Sequence, residues 1–572
     1  MKGAFEMNTK TLFKNLMKEK LWLFLLILAT GFFFFPVRVI MLRQSILADI
    51  RDGFNSTFNS VGSVLGINAD YVDRIILVIL VVIAAFIAAG VTFHYLHDVS
   101  RTDFWMSLPI KRKNRFLLHF LSGFLSTVIP FLIDYLAAGI ICIVTGMLTG
   151  YGITQFFLSM LSLILVFLSI YLLSCLCHVL TGRTVIGVLL TGFFLVIGPG
   201  AIYLFEGLCG CFLTHYISDI NTGVAVWFSP ATLASLSDIS GRIIFALIYS
   251  VIFLVLALIA VEKRPAEAAG NSFSFRWLPL FIKIAVTTAG SLFFGLALSA
   301  FGSGDLRIWF LFFMVIAALL LPMVMDLIFS MDLRAIKKNW KINLLSFAIP
   351  IVISIFFAAD IAGYDRFVPK ENEVASVGII GDEAMNYQGS LYVLGESPDK
   401  TYYSKDPVSI EEAARFVQNN NPNRGGDYIL RLVFNLKSGK VVKRQYPTSY
   451  DEIRNLYDVF SKDEKYREDI ALAKKLEYTG EKTIFALSPY DPDRVIEGET
   501  VMLNLDEKGK RTLIDALVKD ESNMTYSEYE RSTPTYLIEV RRSSDEGGAS
   551  GVLSIYPEFT ETIKILEEYI EK

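Results

Sequence analysis

Residues able to do chemistry are sparse in this 572-residue chain. The phosphate-cradling pattern GxxxxGK[ST] is missing, so the chain carries no P-loop of its own for ATP. Neither HExxH nor a GxSxG elbow occurs. Of the five histidines (His94, His97, His119, His178 and His215), only His94 and His97 lie close, three residues apart at a helix end. That spacing suits an interface anchor better than a metal site. Cys142, Cys175 and Cys177 fall inside apolar runs, and Cys209 and Cys211 form an isolated CxC in a loop, so no disulfide framework or metal knuckle is expected. Asp491-Pro492-Asp493 matches a diphosphate-binding DxD, but its Ser-Pro-Tyr-Asp-Pro setting reads as a turn. The expectation is a chain that is no enzyme and holds neither metal nor cofactor.

Ionisable residues inside long apolar runs are functional candidates by default, because the hydrocarbon of a bilayer penalises them. Three stand out: Asp134, Lys283 and Asp326. Lys283 and Asp326 lie near the ends of their runs and are expected to snorkel to the interface. Asp134 is near the middle of its run and has no such escape. It belongs either to a transport path or to a structural pair.

Between two apolar runs lies His94 to Gly123, HYLHDVSRTDFWMSLPIKRKNRFLLHFLSG. Ser100 with Asp103 three residues later predicts a capping-box start to a short helix, and Pro109 its end. The helix would carry Phe104, Trp105 and Leu108 beside Arg101, Thr102 and Ser107. Lys111, Arg112, Lys113 and Arg115 follow, a cluster expected of a cytoplasmic loop. A short polar-side helix with exposed aromatics calls for a docking partner.

The elements that must position these residues are mostly apolar. Only 19% of residues are charged, against about 25% in soluble proteins. Residues 1–363 carry a net charge of +7 and residues 364–572 one of −11, which marks a basic membrane part and an acidic soluble part. Residues 1–20 include an amphipathic stretch with Leu12, Phe13, Leu16 and Met17 opposite Lys10, Lys14 and Lys18, a pattern expected of an interfacial helix on membrane lipid. Nine spans follow, at about 21–37, 75–95, 116–144, 155–180, 184–205, 243–261, 277–300, 308–329 and 342–362, each near the length a core of about 30 Å requires. Residues 21–261 form a six-span core and 262–363 three further spans. Gly198-Pro199-Gly200 is expected to break or kink span 5. The apolar loop 206–241 is expected to re-enter the membrane margin or pack on the spans. With the N-terminus inside, cytosolic loops hold 18 basic residues and outer loops six, which favours this orientation in the cell membrane. An odd number of spans then places the acidic domain outside the cytosol.

That domain, residues 364–572, reads as α+β. A hairpin around Lys437–Lys440 is preceded by a helix at 410–418 and followed by Tyr446-Pro447 and a helix bearing Ile453, Leu456 and Tyr457. A second hairpin over Gly547-Gly548 has a helix at 508–518 before it. Tyr556-Pro557 and a helix bearing Ile563, Leu566 and Tyr569 come after it. The matching offsets predict an internal duplication, with repeats at about 374–470 and 483–572.

The segment Tyr95-Leu96-His97, Asp103 to Ile110 and Arg112 resembles the cytosolic loop of bacterial ABC transporter permeases of the type-2 exporter class. Glu267-Ala268-Ala269-Gly270 is similar to a motif in a Firmicutes subgroup of that class, whose members add three spans and a C-terminal extracytoplasmic domain of unknown function. The resemblance implies a permease that works with a separately encoded ATPase subunit, which supplies the ATP chemistry, and with a second permease as homo- or heterodimer. It implies a coupling helix at 100–109, with Ser100, Arg101, Asp103, Phe104, Trp105, Leu108 and Pro109 as the ATPase-coupling residues; a place for Asp134 on a transport path rests on its mid-span charge alone. No nucleic-acid partner is expected. A membrane-anchored extracytoplasmic sensing or binding protein is the alternative, although nine spans far exceed what anchoring needs.

Overall fold

The computed structural model describes the chain apart from residues 1–8, 52–70, 148–150, 219–221, 237, 381–388, 394–400, 421–425, 472, 475–482, 491–500, 504, 543–548 and 571–572. Asp491-Pro492-Asp493 and the Gly547-Gly548 turn therefore lie outside the described residues. The chain divides into two units, one of Met1–Leu208 with Asp219–Ile355, the other of Cys209–Ser218 with Phe356–Lys572.

Among the described residues of the whole chain, nine helices are long and apolar enough to cross a membrane: Leu21–Ala48, Ile75–Leu96, Arg112–Val144, Gly152–Leu180, Thr184–Phe212, Ile239–Lys263, Leu278–Ser299, Leu306–Ser330 and Trp340–Ala358. These are spans 1 to 9. Each stands where the hydropathy pattern predicts one, but two run further than expected. Span 1 does not end at Val37. Pro36 sits in a wider π turn, Phe33–Val37, and the helix resumes as Arg38–Arg51. Proline has no N–H to give an α-helical ladder, and a π turn absorbs the missing bond. Arg38 and Arg43 are thus helical rather than in a loop. Span 5 likewise runs unbroken through Gly198-Pro199-Gly200 to Phe212, which puts Cys209 and Cys211 in its last turn rather than in a loop. All five cysteines are buried.

Before span 1, Thr9–Glu19 forms the expected amphipathic helix, burying Leu16 and exposing Lys10, Lys14 and Lys18. The apolar loop after span 5 packs back on the spans within the first unit. Leu233 is fully buried in the main core, with Trp227, Ala231 and Leu236 against it. The Tyr249 hydroxyl of span 6 donates to the Trp227 carbonyl at 2.7 Å.

Lys283 and Asp326 do not snorkel. They are 3% and 2% exposed and form an ion pair, Nζ to Oδ1 2.6 Å, between spans 7 and 8. Asn339 donates to the same oxygen at 2.8 Å and Asn343 to the other at 3.0 Å. Deep burial removes any route for the charges to reach water, so they neutralise each other and the amides fill the remaining lone pairs.

The described strands of the second unit form two antiparallel sheets. One has the order β3-β1-β4-β5, from Tyr402–Ser404, Val374–Ile380, Tyr428–Leu436 and Val441–Thr448. The other has the order β2-β9-β8-β6-β7, from Gly389–Val393, Ala549–Ile555, Tyr536–Arg542, Thr483–Pro489 and Val501–Leu503. Read from the short strand inward, β3-β1-β4-β5 and β7-β6-β8-β9 have one topology, and β2 adds to the edge of the second. Each expected helix is present, at Pro407–Asn419, Tyr450–Phe460, Glu507–Asn523 and Thr560–Ile570. Tyr446-Pro447 proves to be strand rather than lead-in. Pro447 pairs with Ile429 on edge strand β5, the position in a sheet where a missing N–H is tolerated.

Candidate functional site

The loop between spans 2 and 3 forms a helix at Val99–Ser107, one residue off the expected bounds. Its cap is Asp98, not the Ser100–Asp103 box. The Asp98 carboxylate accepts the amide of Ser100 at 3.0 Å, the Ser100 hydroxyl at 2.7 Å and the amide of Arg101 at 3.4 Å. Aspartate is among the best N-caps, and here it precedes the first helical residue. These hydrogen bonds from Ser100 hold the Asp98 carboxyl below its ordinary range. At the other end Leu108 is extended, φ −70° and ψ 139°, as the residue before Pro109 must be.

One face of this helix is fixed to the bundle. Thr102 is buried and donates to the Tyr95 carbonyl at 2.7 Å. Trp105 is half-buried, with its ring 5.8 Å from Tyr95 and 4.5 Å, edge-on, from His119 of span 3. Trp105 is therefore an anchor, which corrects the expectation of two outward aromatics. Packing decides it, because the ring fills the step between the loop and span 3. The opposite face exposes Ser100, Arg101, Asp103 and Phe104, with Phe104 59% exposed. Leu108 is half-buried and Pro109 exposed.

Behind the helix lies a buried cation that the sequence did not single out. Arg264, just after span 6, donates to the carbonyls of Leu96 (2.8 Å), His178 (3.2 Å), Thr181 (2.7 Å) and Val179. One guanidinium thus ties the ends of spans 2, 4 and 6. Arg112 donates to the Arg264 carbonyl at 2.8 Å, and Lys113 pairs with Glu262 at 2.9 Å. Glu267-Ala268-Ala269-Gly270 closes over Gly182, whose amide nitrogen lies 3.4 Å from the Ser272 carbonyl and whose carbonyl accepts the Gly270 amide at 2.9 Å. A Cβ at Gly182 would stand 2.0 Å from the Ala268 carbonyl, so only glycine fits. Arg183 donates to the Gly270 carbonyl at 2.7 Å. His97 also belongs here. Its Nε2 is 3.1 Å from the His178 carbonyl and its Nδ1 2.9 Å from the Thr184 hydroxyl. A neutral ring donates to the first and accepts from the second. Burial pushes its pKa down to about 4. Lys20, also buried, donates to the His119 carbonyl at 3.4 Å and to the Ser122 hydroxyl, and burial pushes its pKa down to about 8.

Asp134 sits apart from this network, on span 3. It is 3% exposed, and its Oδ2 has no hydrogen-bond partner. No ion pair reaches it among the described residues. Its carboxylate faces Gly31 of span 1, where a Cβ would stand 2.3 Å from Oδ2. Gly31 in turn lines a cavity of about 250 Å³ between spans 1 to 4. Thr30 and Thr127 are the polar side chains among its lining residues.

In the second unit the sequence missed a polar knot. The Asp365 carboxylate accepts the amides of Thr214 at 2.8 Å and His215 at 3.0 Å, and the Gln445 amide donates to the His215 carbonyl at 3.1 Å. The Arg444 guanidinium stacks on Tyr364 at 3.5 Å. These contacts tie the segment after span 5 to the neck after span 9 and to β5. They are backbone capture and stacking. Searches of family models, of curated proteins and of solved structures return no match to this chain.

Proposed function

We propose that the chain is the permease subunit of an ATP-binding-cassette exporter. Separately encoded ATPase subunits would dock on the Val99–Ser107 helix from the cytosol. The observation that carries this reading is Phe104, which stands exposed on a capped helix whose other face is fixed by Thr102 and Trp105. An aromatic held rigid and bare is what an interface needs, because the ordering cost is met before the partner arrives. The sequence bias of 18 to six basic residues between the segments flanking the spans on the two sides supports a cytosolic N-terminus. The acidic second unit would then lie outside the cytosol, and its repeated sheet topology supports an internal duplication.

The test is co-purification. The tagged chain, solubilised from its native membrane, should bring down a P-loop ATPase, and Phe104→Ala should release it while the permease stays monodisperse. An ATPase that stays bound to Phe104→Ala, with hydrolysis still coupled to transport, would refute the docking role.

A further inference from the structure

Where span 8 ends and span 9 begins, four cations stand close together: Arg334, Lys337, Lys338 and Lys341. We propose that this turn binds the headgroup of an anionic phospholipid. The four cations would answer its phosphate, while Met331, Leu333 and Trp340 enter the acyl boundary beside it.

The protein leaves these charges unanswered. On the same side of the bundle by span count, Arg112, Arg115, Arg183 and Arg264 donate to backbone carbonyls, and Lys113 pairs with Glu262. Arg334, Lys337, Lys338 and Lys341 are all exposed, and none has a side-chain hydrogen bond or ion pair with a described residue. Asp332, the carboxylate of the turn, accepts the backbone amide of Arg334 at 2.9 Å. The spacing of three, four and seven residues collects the cations on one side of a helical path. That path is nearly continuous across Asn339, whose amide donates to the Ala335 carbonyl at 2.9 Å and whose carbonyl accepts the Asn343 amide at 3.0 Å.

The neighbours of the cations choose the occupant. Met331, Leu333 and Trp340 are 73%, 71% and 57% exposed, and Lys341 lies over the Trp340 ring at 5.8 Å. Bare apolar side chains among cations suit the boundary of a bilayer, where acyl chains take the first and phosphates the second. Free phosphate or a soluble acidic peptide would answer the charges and leave the apolar groups in water. A basic cluster of this size directly beside a span is a recognised pattern for anionic lipid.

The turn is also built in advance. Met331 closes span 8 in the left-handed region, φ 54°. The side-chain amides of Asn339 and Asn343 donate to Asp326, which is itself paired with Lys283. The buried pair therefore holds the backbone that presents the exposed cations, and little ordering remains for the lipid to bring about.

The experiment uses the full chain in phosphatidylcholine vesicles, with spin-labelled phosphatidylglycerol and spin-labelled phosphatidylcholine as probes. Electron paramagnetic resonance reads the share of each that the protein immobilises. The expected result is a preference for phosphatidylglycerol of at least about threefold. Lys337→Gln with Lys338→Gln and Lys341→Gln should bring that preference close to one. The matched triple Lys111→Gln, Lys263→Gln and Arg276→Gln removes as much charge from exposed positions on the same side, and should keep most of it. No preference in the wild-type chain would overturn the site. So would an equal loss in both triples, which would reduce the effect to diffuse attraction. Two further measurements avoid the neutralised variants. Raising salt from about 0.05 M to about 0.5 M should cut the wild-type preference several-fold, and a preference indifferent to salt would overturn the site. Benzoylphenylalanine in place of Leu333, illuminated in the native membrane, should join anionic phospholipid beyond its share of the bilayer. Polypeptide adducts in its place would overturn the proposal and assign the turn to a protein partner. None of these readouts involves Phe104, so their failure leaves the ATPase reading standing.

Discussion

Asp134 and Asp326 are both buried carboxylates on apolar helices, and the fold treats them in opposite ways. Asp326 has Lys283 at 2.6 Å and two asparagine amides, so its charge is answered on every side. Asp134 has the backbone of Gly31 against it and no hydrogen-bond partner for Oδ2. A fully satisfied group holds helices together, whereas one left without a partner in so costly a place is a functional candidate. The contrast makes the Lys283–Asp326 pair a structural pin between spans 7 and 8 and leaves Asp134 as the candidate for a functional role.

The largest effect should come from breaking the pin. Asp326→Ala leaves Lys283 buried without its anion, and removing one partner of a buried pair typically costs about 3–5 kcal/mol. Thermal unfolding in detergent should show a large drop and folded yield should fall. The double change Lys283→Met with Asp326→Leu should recover most of it, since a packed apolar pair of similar volume is often no worse than the ions. A harmless Asp326→Ala would erase the distinction.

Asp134→Asn should move the other way. Removing a charge that costs about 2.5 kcal/mol at mid-bilayer should leave the protein as stable as before or more so, while transport is lost. Thermal unfolding and vesicle transport read the two outcomes separately, and a destabilised Asp134→Asn would make Asp134 structural after all. A smaller effect is expected at the Val99–Ser107 helix. Asp98→Ala removes the cap, so amide exchange in the first turn should quicken several-fold while the spans are unaffected. Exchange unchanged from wild type would show that Trp105 and Thr102 hold the helix alone.

The smallest effect concerns pH. His97 has its folded pKa lowered to about 4 from an ordinary 6.5, so below 6.5 the unfolded chain takes up a proton that the folded chain refuses. Stability should therefore decline as pH falls from about 6.5 to about 4 and level off below. His97→Gln should flatten that part of the profile, and an unaltered slope would mean that other groups carry it.

The spans were legible because long apolar runs in a chain leave no other fold open to them. Their ends were less so. Pro36 and Gly198-Pro199-Gly200 carry the local chemistry of helix ends, yet packing of residues such as Val39 (fully buried) and Leu208 (3% exposed) carries both helices onward. Both hairpins announced themselves by turn residues and alternation, whereas β1, β3, β6 and β7 are defined by partners far along the chain and gave no local signal. The same applies to the sites. Phe104 and Asp134 could be singled out from sequence because each breaks a local pattern. The Lys283–Asp326 pair spans 43 residues and Arg264 reaches carbonyls up to 168 residues away, distances over which periodicity says nothing. The Asp98 cap stands one residue before the helix, where the more familiar Ser100-x-x-Asp103 pattern overlaps it.

The docking of an ATPase at Phe104 is tested most directly by photocrosslinking in the native membrane. With benzoylphenylalanine in place of Phe104, illumination should join the chain to a polypeptide that mass spectrometry identifies by a P-loop sequence, and the same group at the half-buried Trp105 should give little of that product. Adducts at position 104 to lipid or to the chain itself, with no ATPase among them, would contradict the account.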